Sequence, residues 1–64
     1  MSKVLSSFSF GKYRVLKIST MPTNPYSHIR IDGKMYKPIP IYDMPQCVAI
    51  ESYKDFTNQY IDFV

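Results

Sequence analysis

The sequence lacks the usual covalent and metal-based stabilisers of a very small protein. Its 64 residues contain one cysteine, Cys47, and one histidine, His28. A single cysteine excludes a disulfide within the chain, and a structural zinc site needs about four Cys, His or carboxylate ligands. A domain of this size buries only about 60% of the surface exposed by its unfolded chain. We therefore predict a single domain whose thin core is supplemented by self-association, most simply as a homodimer, although domains of this length also fold alone.

Long apolar segments are also missing, and glycine is scarce. No stretch approaches the roughly 18 apolar residues of a membrane-spanning segment, and the first residues contain no apolar stretch typical of a signal peptide. Together with the single cysteine, this predicts a cytoplasmic protein that does not contact a membrane. Gly11 and Gly33 are the only glycines, so there is no glycine-rich phosphate-binding loop. The sequence predicts no cofactor and no bound metal.

Charge is unevenly distributed along the chain. The net charge of the whole sequence is +3, with +6 in residues 1–42 and −3 in residues 43–64. A basic body followed by an acidic segment is compatible with binding a polyanion or with pairing between oppositely charged surfaces of two copies. An ordinary solvated surface of mixed charge is the favoured interpretation. Charge alone therefore does not choose between protein and nucleic-acid partners.

Aromatic and β-branched residues predict strands in the first third of the chain. Residues 7–20 are rich in both types, but the alternation of apolar and polar positions changes phase near Gly11. This change predicts a β-bulge or bend, and either one long bent strand or two segments. Residues 1–6 are expected to be a loose terminus. Residues 20–27 contain two prolines and predict a loop.

The clearest local signal is a hairpin at Asp32-Gly33, a dipeptide that favours a type I′ turn. A two-residue loop predicts the cross-strand pairs Ile31–Lys34, Arg30–Met35, Ile29–Tyr36 and His28–Lys37. The pairing separates a face with Ile29 and Tyr36 from a face with Arg30 and Met35. Whichever of these two faces is exposed is the candidate binding surface, and the pairing predicts that this is the face with Arg30 and Met35.

The remainder of the chain is less regular. Two prolines in residues 38–41 predict an edge strand or a strand that leaves its sheet. Residues 42–46 predict a turn, with the start of a helix as the alternative, and residues 47–51 predict a strand. Residues 52–64 fit either a helical stripe or, by a small preference, a helical turn at 53–57 followed by a final strand. The stripe consists of Phe56, Tyr60, Phe63 and Val64.

These elements define a mainly β fold, with a β-rich α+β fold as a variant. We expect a small antiparallel sheet or a barrel of SH3-like or OB-like shape. Either would contain four or five strands, the Asp32-Gly33 hairpin and at most one short helix near the C-terminus.

Catalytic chemistry has little support in the sequence. Cys47, His28 and Asp43 are the residue types of a nucleophilic triad, but their spacing does not bring them together. The carboxylates are accounted for by turns and helix caps, which leaves no unexplained acid–base pair. We therefore expect no enzyme and assign no catalytic residue.

A protein-interaction module, with itself or another protein as partner, is the favoured function. The apolar residues at odd positions of this segment would point to the same side of a continuous strand. They would form an exposed apolar stripe on the basic face of the hairpin, made of Met35, Ile39 and Ile41. If the strand twists near Pro38, Ile39 and Ile41 enter the core instead. The small size would also suit a product of a phage or another mobile element.

The alternative function is a small nucleic-acid-binding module. Cations on the first strand and on the hairpin would form one basic face if these elements were adjacent, with Tyr13 and Tyr36 as stacking platforms. The candidate residues are Lys12, Arg14, Lys17, Arg30, Lys34 and Lys37.

Overall fold

A computed structural model of the protein describes residues 2–64 and shows an all-β domain. These residues form a seven-stranded antiparallel sheet in the order β4-β3-β7-β1-β2-β6-β5. No helix among them is long and apolar enough to cross a membrane. The strands are β1 (Ser2–Phe10), β2 (Tyr13–Ile18), β3 (Ile29–Ile31), β4 (Lys34–Tyr36), β5 (Ile39–Pro40), β6 (Cys47–Glu51) and β7 (Tyr60–Phe63).

The prediction of a mainly β antiparallel sheet is confirmed, with two corrections. Within residues 2–64 the outermost strands, β4 and β5, do not pair with each other, so the sheet is open and not a closed barrel. The number of strands is seven instead of four or five. The difference arises from short strands, such as the two-residue β5, that have little alternation for a sequence pattern to reveal.

Strand β1 joins the two halves of the sheet. Its first residues, Ser2 and Lys3, pair with β7 on one side, whereas the segment from Val4 to Phe10 pairs with β2 on the other. We call β4, β3 and β7 the β3 half. We call β2, β6 and β5, with the later part of β1, the β2 half.

The expectation of a loose terminus over residues 1–6 is wrong for residues 2–6, and Met1 lies outside the described residues. Val4 is fully buried, and its main chain is held by Asn58 and Gln59 through hydrogen bonds of 2.8 Å each. Burial of Val4 stabilises the terminus. The composition of residues 1–6 does not indicate this, because the partners of Val4 are distant in sequence.

The change of phase near Gly11 is a hairpin turn and not a bulge. Gly11 has a φ of +61° and forms a two-residue loop with Lys12, so the alternative of two strand segments is the correct one. The irregularity in register lies earlier, between Val4 and Ser6. There the extra residue, Leu5, reverses the facing of every later residue of β1.

The hairpin at Asp32-Gly33 has the predicted conformation. Asp32 and Gly33 have φ values of +52° and +79°, as a type I′ turn requires. The pairs Ile31–Lys34, Arg30–Met35 and Ile29–Tyr36 are all formed. The predicted His28–Lys37 pair is absent, since the ladder ends at Ile29 and Tyr36. The His28 main chain bonds to Val64 on the opposite side of β3. Ile29 is fully buried, so the face with Arg30 and Met35 is the exposed one.

The C-terminal third contains turns and strands only. β5 is an edge strand, as the prolines predict, and β6 forms within the predicted range. The helical turn at 53–57 and the alternative helical stripe are both wrong, whereas the final strand is present as β7. Asn58 has a φ of +70°, and the Gln59 amide donates to the Phe56 carbonyl at 3.0 Å. This tight turn occupies the predicted break at Thr57-Asn58 and leaves no room for a helix.

The core lies between the two halves of the sheet. Ile29, Ile31 and Ile61 from the β3 half face Leu16 and Ile50 from the β2 half, and all five are buried. Phe56 closes this core from the irregular segment between β6 and β7. The complete cluster is Val4, Leu16, Ile18, Ile29, Ile31, Val48, Ile50, Phe56 and Ile61.

Candidate protein-interaction surface

The β2 half is apolar on both of its faces. In β2, Leu16 points into the main core, and the adjacent Val15 therefore points to the opposite side, which we call the outer face. Val15 pairs with Phe8 of β1 and Ala49 of β6, so these two residues also lie on the outer face. A sheet covered on one side only would carry polar residues at these positions.

A shallow apolar groove runs across the outer face. It has a volume of about 500 Å³ and lies against the protruding β1–β2 hairpin. Phe10 at the tip of that hairpin is 73% exposed, and Phe8 is 48% exposed. Apolar side chains of this size are normally buried, so their clustering makes this groove the candidate interaction surface. The groove is lined by Phe8, Phe10, Tyr13, Val15, Ile39, Ile41, Met44 and Ala49.

The bulge at Leu5 places both phenylalanines on this face. Val4 is in the main core, and without an irregularity Ser6, Phe8 and Phe10 would share its side of the sheet. The register shift between Val4 and Ser6 moves them to the outer face. As a result, Ser7 is on the core side, where its hydroxyl donates to the carboxylate of Asp55.

The three residues of the predicted apolar stripe do not form one stripe. Ile39 and Ile41 line the groove, where Ile41 is partly buried against a small outer cluster of Val15, Cys47 and Ala49. Met35 is 46% exposed in β4, opposite Arg30, and does not line the groove. It borders a separate depression that also includes Ile39. The two isoleucines therefore share the groove, whereas Met35 lies outside it and shares only the neighbouring depression with Ile39.

The six candidate nucleic-acid-binding cations do not share one face. Arg14 pairs with the core residue Ile50 and lies on the core side of β2, whereas Lys17 pairs with Cys47 of the outer cluster. Arg14 is also engaged internally, since its guanidinium donates to the carbonyl of Tyr53 at 2.9 Å. The prediction of a single basic face is wrong, because the strand alternation directs Arg14 and Lys17 to opposite sides.

The cations of the hairpin are likewise occupied or separate. Arg30 forms an ion pair of 3.2 Å with Asp62 on the neighbouring strand β7. Lys34 lies over the ring of Tyr36, with 5.5 Å from Nζ to the ring centroid, and Lys12 makes the same contact with Tyr13 at 5.5 Å. Lys37 borders the depression beside Met35.

Groups with catalytic potential are dispersed. Cys47 is buried in β6, and the Nδ1 atom of His28 lies 3.0 Å from the hydroxyl of the adjacent Ser27 at the start of β3. Strands β7, β1 and β2 separate β3 from β6 in the sheet. Among residues 2–64 no three His, Cys, Asp or Glu side chains are close enough together to hold a metal ion.

Asp55 is the one carboxylate in a defined polar cluster. Hydrogen bonds from the Ser7 hydroxyl and from the backbone and side chain of Thr57 lower its pKa to about 2, and the charge of Arg14 adds to the effect. A carboxylate with such a low pKa is a poor proton acceptor at neutral pH. Its contacts instead link the segment between β6 and β7 to β1.

The later part of β1 has a free edge. Val4 bonds to Asn58 and Gln59 on one side and pairs with Ile18 of β2 on the other, but beyond Val4 the segment that leads into β7 no longer follows β1. Within residues 2–64, no main-chain or side-chain group outside β2 hydrogen-bonds to the backbone of residues 5–10. This edge adjoins the apolar groove through Phe8 and Phe10.

No protein-family model, curated protein or solved structure matches the chain. Of the residues that line the groove, Ile39 and Ile41 are candidates from the sequence, whereas Phe8 and Phe10 are not. The signal that could have found them is the strict alternation of Ser7-Phe8-Ser9-Phe10 directly before a glycine turn. Such alternation indicates one polar and one apolar face of a strand.

Proposed function

We propose that this protein is a small, non-enzymatic protein-interaction module that self-associates through its outer face. The apolar groove beside the β1–β2 hairpin supports the proposal, because it joins two exposed phenylalanines to apolar residues of β2, β5, β6 and the loop between β5 and β6. Burial of apolar area contributes roughly 25 cal/mol per Å². Burial of Phe8 and Phe10 against a second copy would therefore add stabilisation to that provided by the small core of each copy.

The polar surface supports a protein partner more than a nucleic acid. The cations lie on different sides of the sheet, and Arg14 and Arg30 are already hydrogen-bonded within the chain. A nucleic-acid groove instead combines a continuous cationic track with exposed aromatic platforms. The aromatic residues exposed at the groove, Phe8 and Phe10, lie within an uncharged segment that extends from Val4 to Gly11.

Sedimentation equilibrium of the purified protein tests the proposal. Between about 1 µM and about 1 mM, the wild type should show a reversible increase in mass toward that of a dimer. Phe10→Ser should weaken the association at least about tenfold, because it removes the most exposed aromatic side chain of the groove. Met35→Ser removes an exposed apolar side chain from outside the groove and should leave the association unchanged. Far-UV circular dichroism confirms that both variants remain folded.

The opposite results have clear meanings. A wild type that remains monomeric over the whole range contradicts self-association. Equal weakening by Phe10→Ser and Met35→Ser contradicts the assignment to the outer face. A strongly salt-dependent complex with single-stranded oligonucleotides, in a protein that stays monomeric, would favour the nucleic-acid alternative.

A further inference from the structure

We propose that two copies associate by antiparallel pairing of their β1 edges around a two-fold axis at Phe8. This inference depends on the self-association proposed above and specifies how it occurs. The two seven-stranded sheets would join into one continuous sheet. The outer faces of both copies would then lie on the same side, with Phe8 and Phe10 of each copy at the seam.

The first support is the set of unpaired backbone groups along β1. In a hairpin with a two-residue loop, the closing pair, here Phe10 and Tyr13, exchanges hydrogen bonds, and bonded and non-bonded pairs then alternate. Ser7 and Ser9 are therefore at non-bonded positions, and their N–H and C=O groups point away from β2. Residues 2–64 provide no other partner for these groups. They form a strand template that another extended strand can complete.

The second support is the contrast with the other two edges. β5 is only two residues long. Pro38 precedes it and Pro40 is its second residue, and neither proline can donate a backbone hydrogen bond. β4 is three residues long and begins at Lys34. Short strands, prolines and lysines are the features by which proteins prevent edge-to-edge association. Beyond the bulge at Leu5 the β1 edge has none of them, since Ser6–Phe10 is a regular segment with neither charge nor proline.

The third support is that the β1 segment is complementary to itself. The bulge at Leu5 and the turn at Gly11 limit its regular part to Ser6–Phe10, whose midpoint is Phe8. A two-fold axis at Phe8 makes Ser7 of each copy exchange hydrogen bonds with Ser9 of the other. The two Phe8 residues then face each other as a non-bonded pair, the arrangement in which cross-strand side chains are closest. No like charges oppose each other in this register.

The pairing commits to a second copy instead of a different extended peptide. The two-fold arrangement uses the same strand edge in both copies and needs no separate partner. Five residues per copy form a small contact, since a stable complex buries roughly 1,200–2,000 Å² of surface with about 20–30 residues from each partner. We therefore expect a dissociation constant on the order of 1–100 µM.

A pair of substitutions at Ser9 tests the edge directly. Ser9→Pro removes the outward N–H, and proline is tolerated at edge positions whose N–H does not face the neighbouring strand. Ser9→Ala removes the hydroxyl but keeps the N–H. We expect Ser9→Pro to weaken dimerisation at least about tenfold in sedimentation equilibrium and Ser9→Ala to leave it within about twofold. Met35→Ser, outside the groove, should also leave it unchanged.

Amide hydrogen exchange of the wild type provides a readout that does not depend on folding of the proline variant. The amides of Ser7 and Ser9 should exchange at least about tenfold more slowly at high than at low protein concentration. The amides of Phe8 and Phe10, which already bond to β2, should be protected at both concentrations.

The outcomes separate this inference from the proposed function. A dimer whose Ser7 and Ser9 amides exchange at the same rate at both concentrations overturns edge pairing but keeps self-association. The same holds if Ile39→Ser dissociates the dimer while Ser9→Pro does not, which would indicate that two grooves stack face to face. A monomeric wild type overturns both. A monomer that protects Ser7 and Ser9 only when an extended apolar peptide is added would assign the edge to a different partner.

Discussion

Replacing Phe56 with alanine should remove much of the stability of this domain. Phe56 is the only buried residue between Glu51 and Ile61, and its ring packs edge-on against Tyr36 with 5.6 Å between the centroids. Truncation of a buried phenylalanine to alanine costs about 3–5 kcal/mol, because apolar contacts are lost and a cavity remains. At 0.05–0.15 kcal/mol per residue, the free energy of unfolding of a chain this long is roughly 3–10 kcal/mol. The substitution should therefore leave a marginally stable or largely unfolded protein.

Urea unfolding followed by far-UV circular dichroism measures this loss, at a protein concentration low enough to avoid self-association. Tyr53→Ala is a control from the same segment. Its side chain is 80% exposed, so the free energy of unfolding should change by no more than about 0.5 kcal/mol. Phe56→Leu keeps most of the apolar volume and should remain folded. A loss below about 1 kcal/mol for Phe56→Ala would refute its position at the closed end of the core.

Two further predictions concern the turn at Gly33 and the pH dependence of stability. Gly33→Ala should lower the free energy of unfolding by about 1–2 kcal/mol, because the φ of +79° at this position strains any residue with a Cβ. No neighbouring atom lies within 4 Å of the added Cβ, so the cost is backbone strain alone. Unchanged stability in urea would contradict the assigned turn. The pKa of Asp55 is about 2 against an ordinary value of 3.8, so its contribution is present above about pH 4 and is lost as the pH falls through about 2. The stability difference between wild type and Asp55→Asn should disappear over this interval, and an Asp55 titration midpoint near 4 by NMR would contradict the hydrogen-bonded cluster.

Local chemistry made the hairpin at Asp32-Gly33 predictable. A two-residue loop with a preferred dipeptide fixes the register, and register fixes which side chains share a face. The three pairs from Ile29 to Tyr36 follow from this rule, and they are present. The prolines of residues 38–41 likewise predicted an edge strand, because they remove the hydrogen-bond donors that a central strand needs.

The prediction of one stripe formed by Met35, Ile39 and Ile41 is wrong, because the three residues do not lie in one strand. Between Tyr36 and Ile39 the chain leaves β4, at one end of the sheet, and joins β6 as β5 at the other end. Parity along a chain predicts a common face only while the residues remain in one strand. The same limitation applies to the proposed basic face, whose members lie on several strands.

Some features of this fold follow from the local sequence, and others, such as the position of β1, follow only from the tertiary structure. The sequence by itself determined the β class, the type I′ turn and the edge character of the proline segment, since each depends on backbone preferences of adjacent residues. Only the tertiary structure decided that β1 lies between β7 and β2 and that Leu5 is bulged. Those features depend on contacts between residues more than ten positions apart, such as Val4 with Ile18 and with Asn58. They also place Phe8 and Phe10 on the outer face beside a free strand edge, because one extra residue in a strand reverses the facing of all that follow.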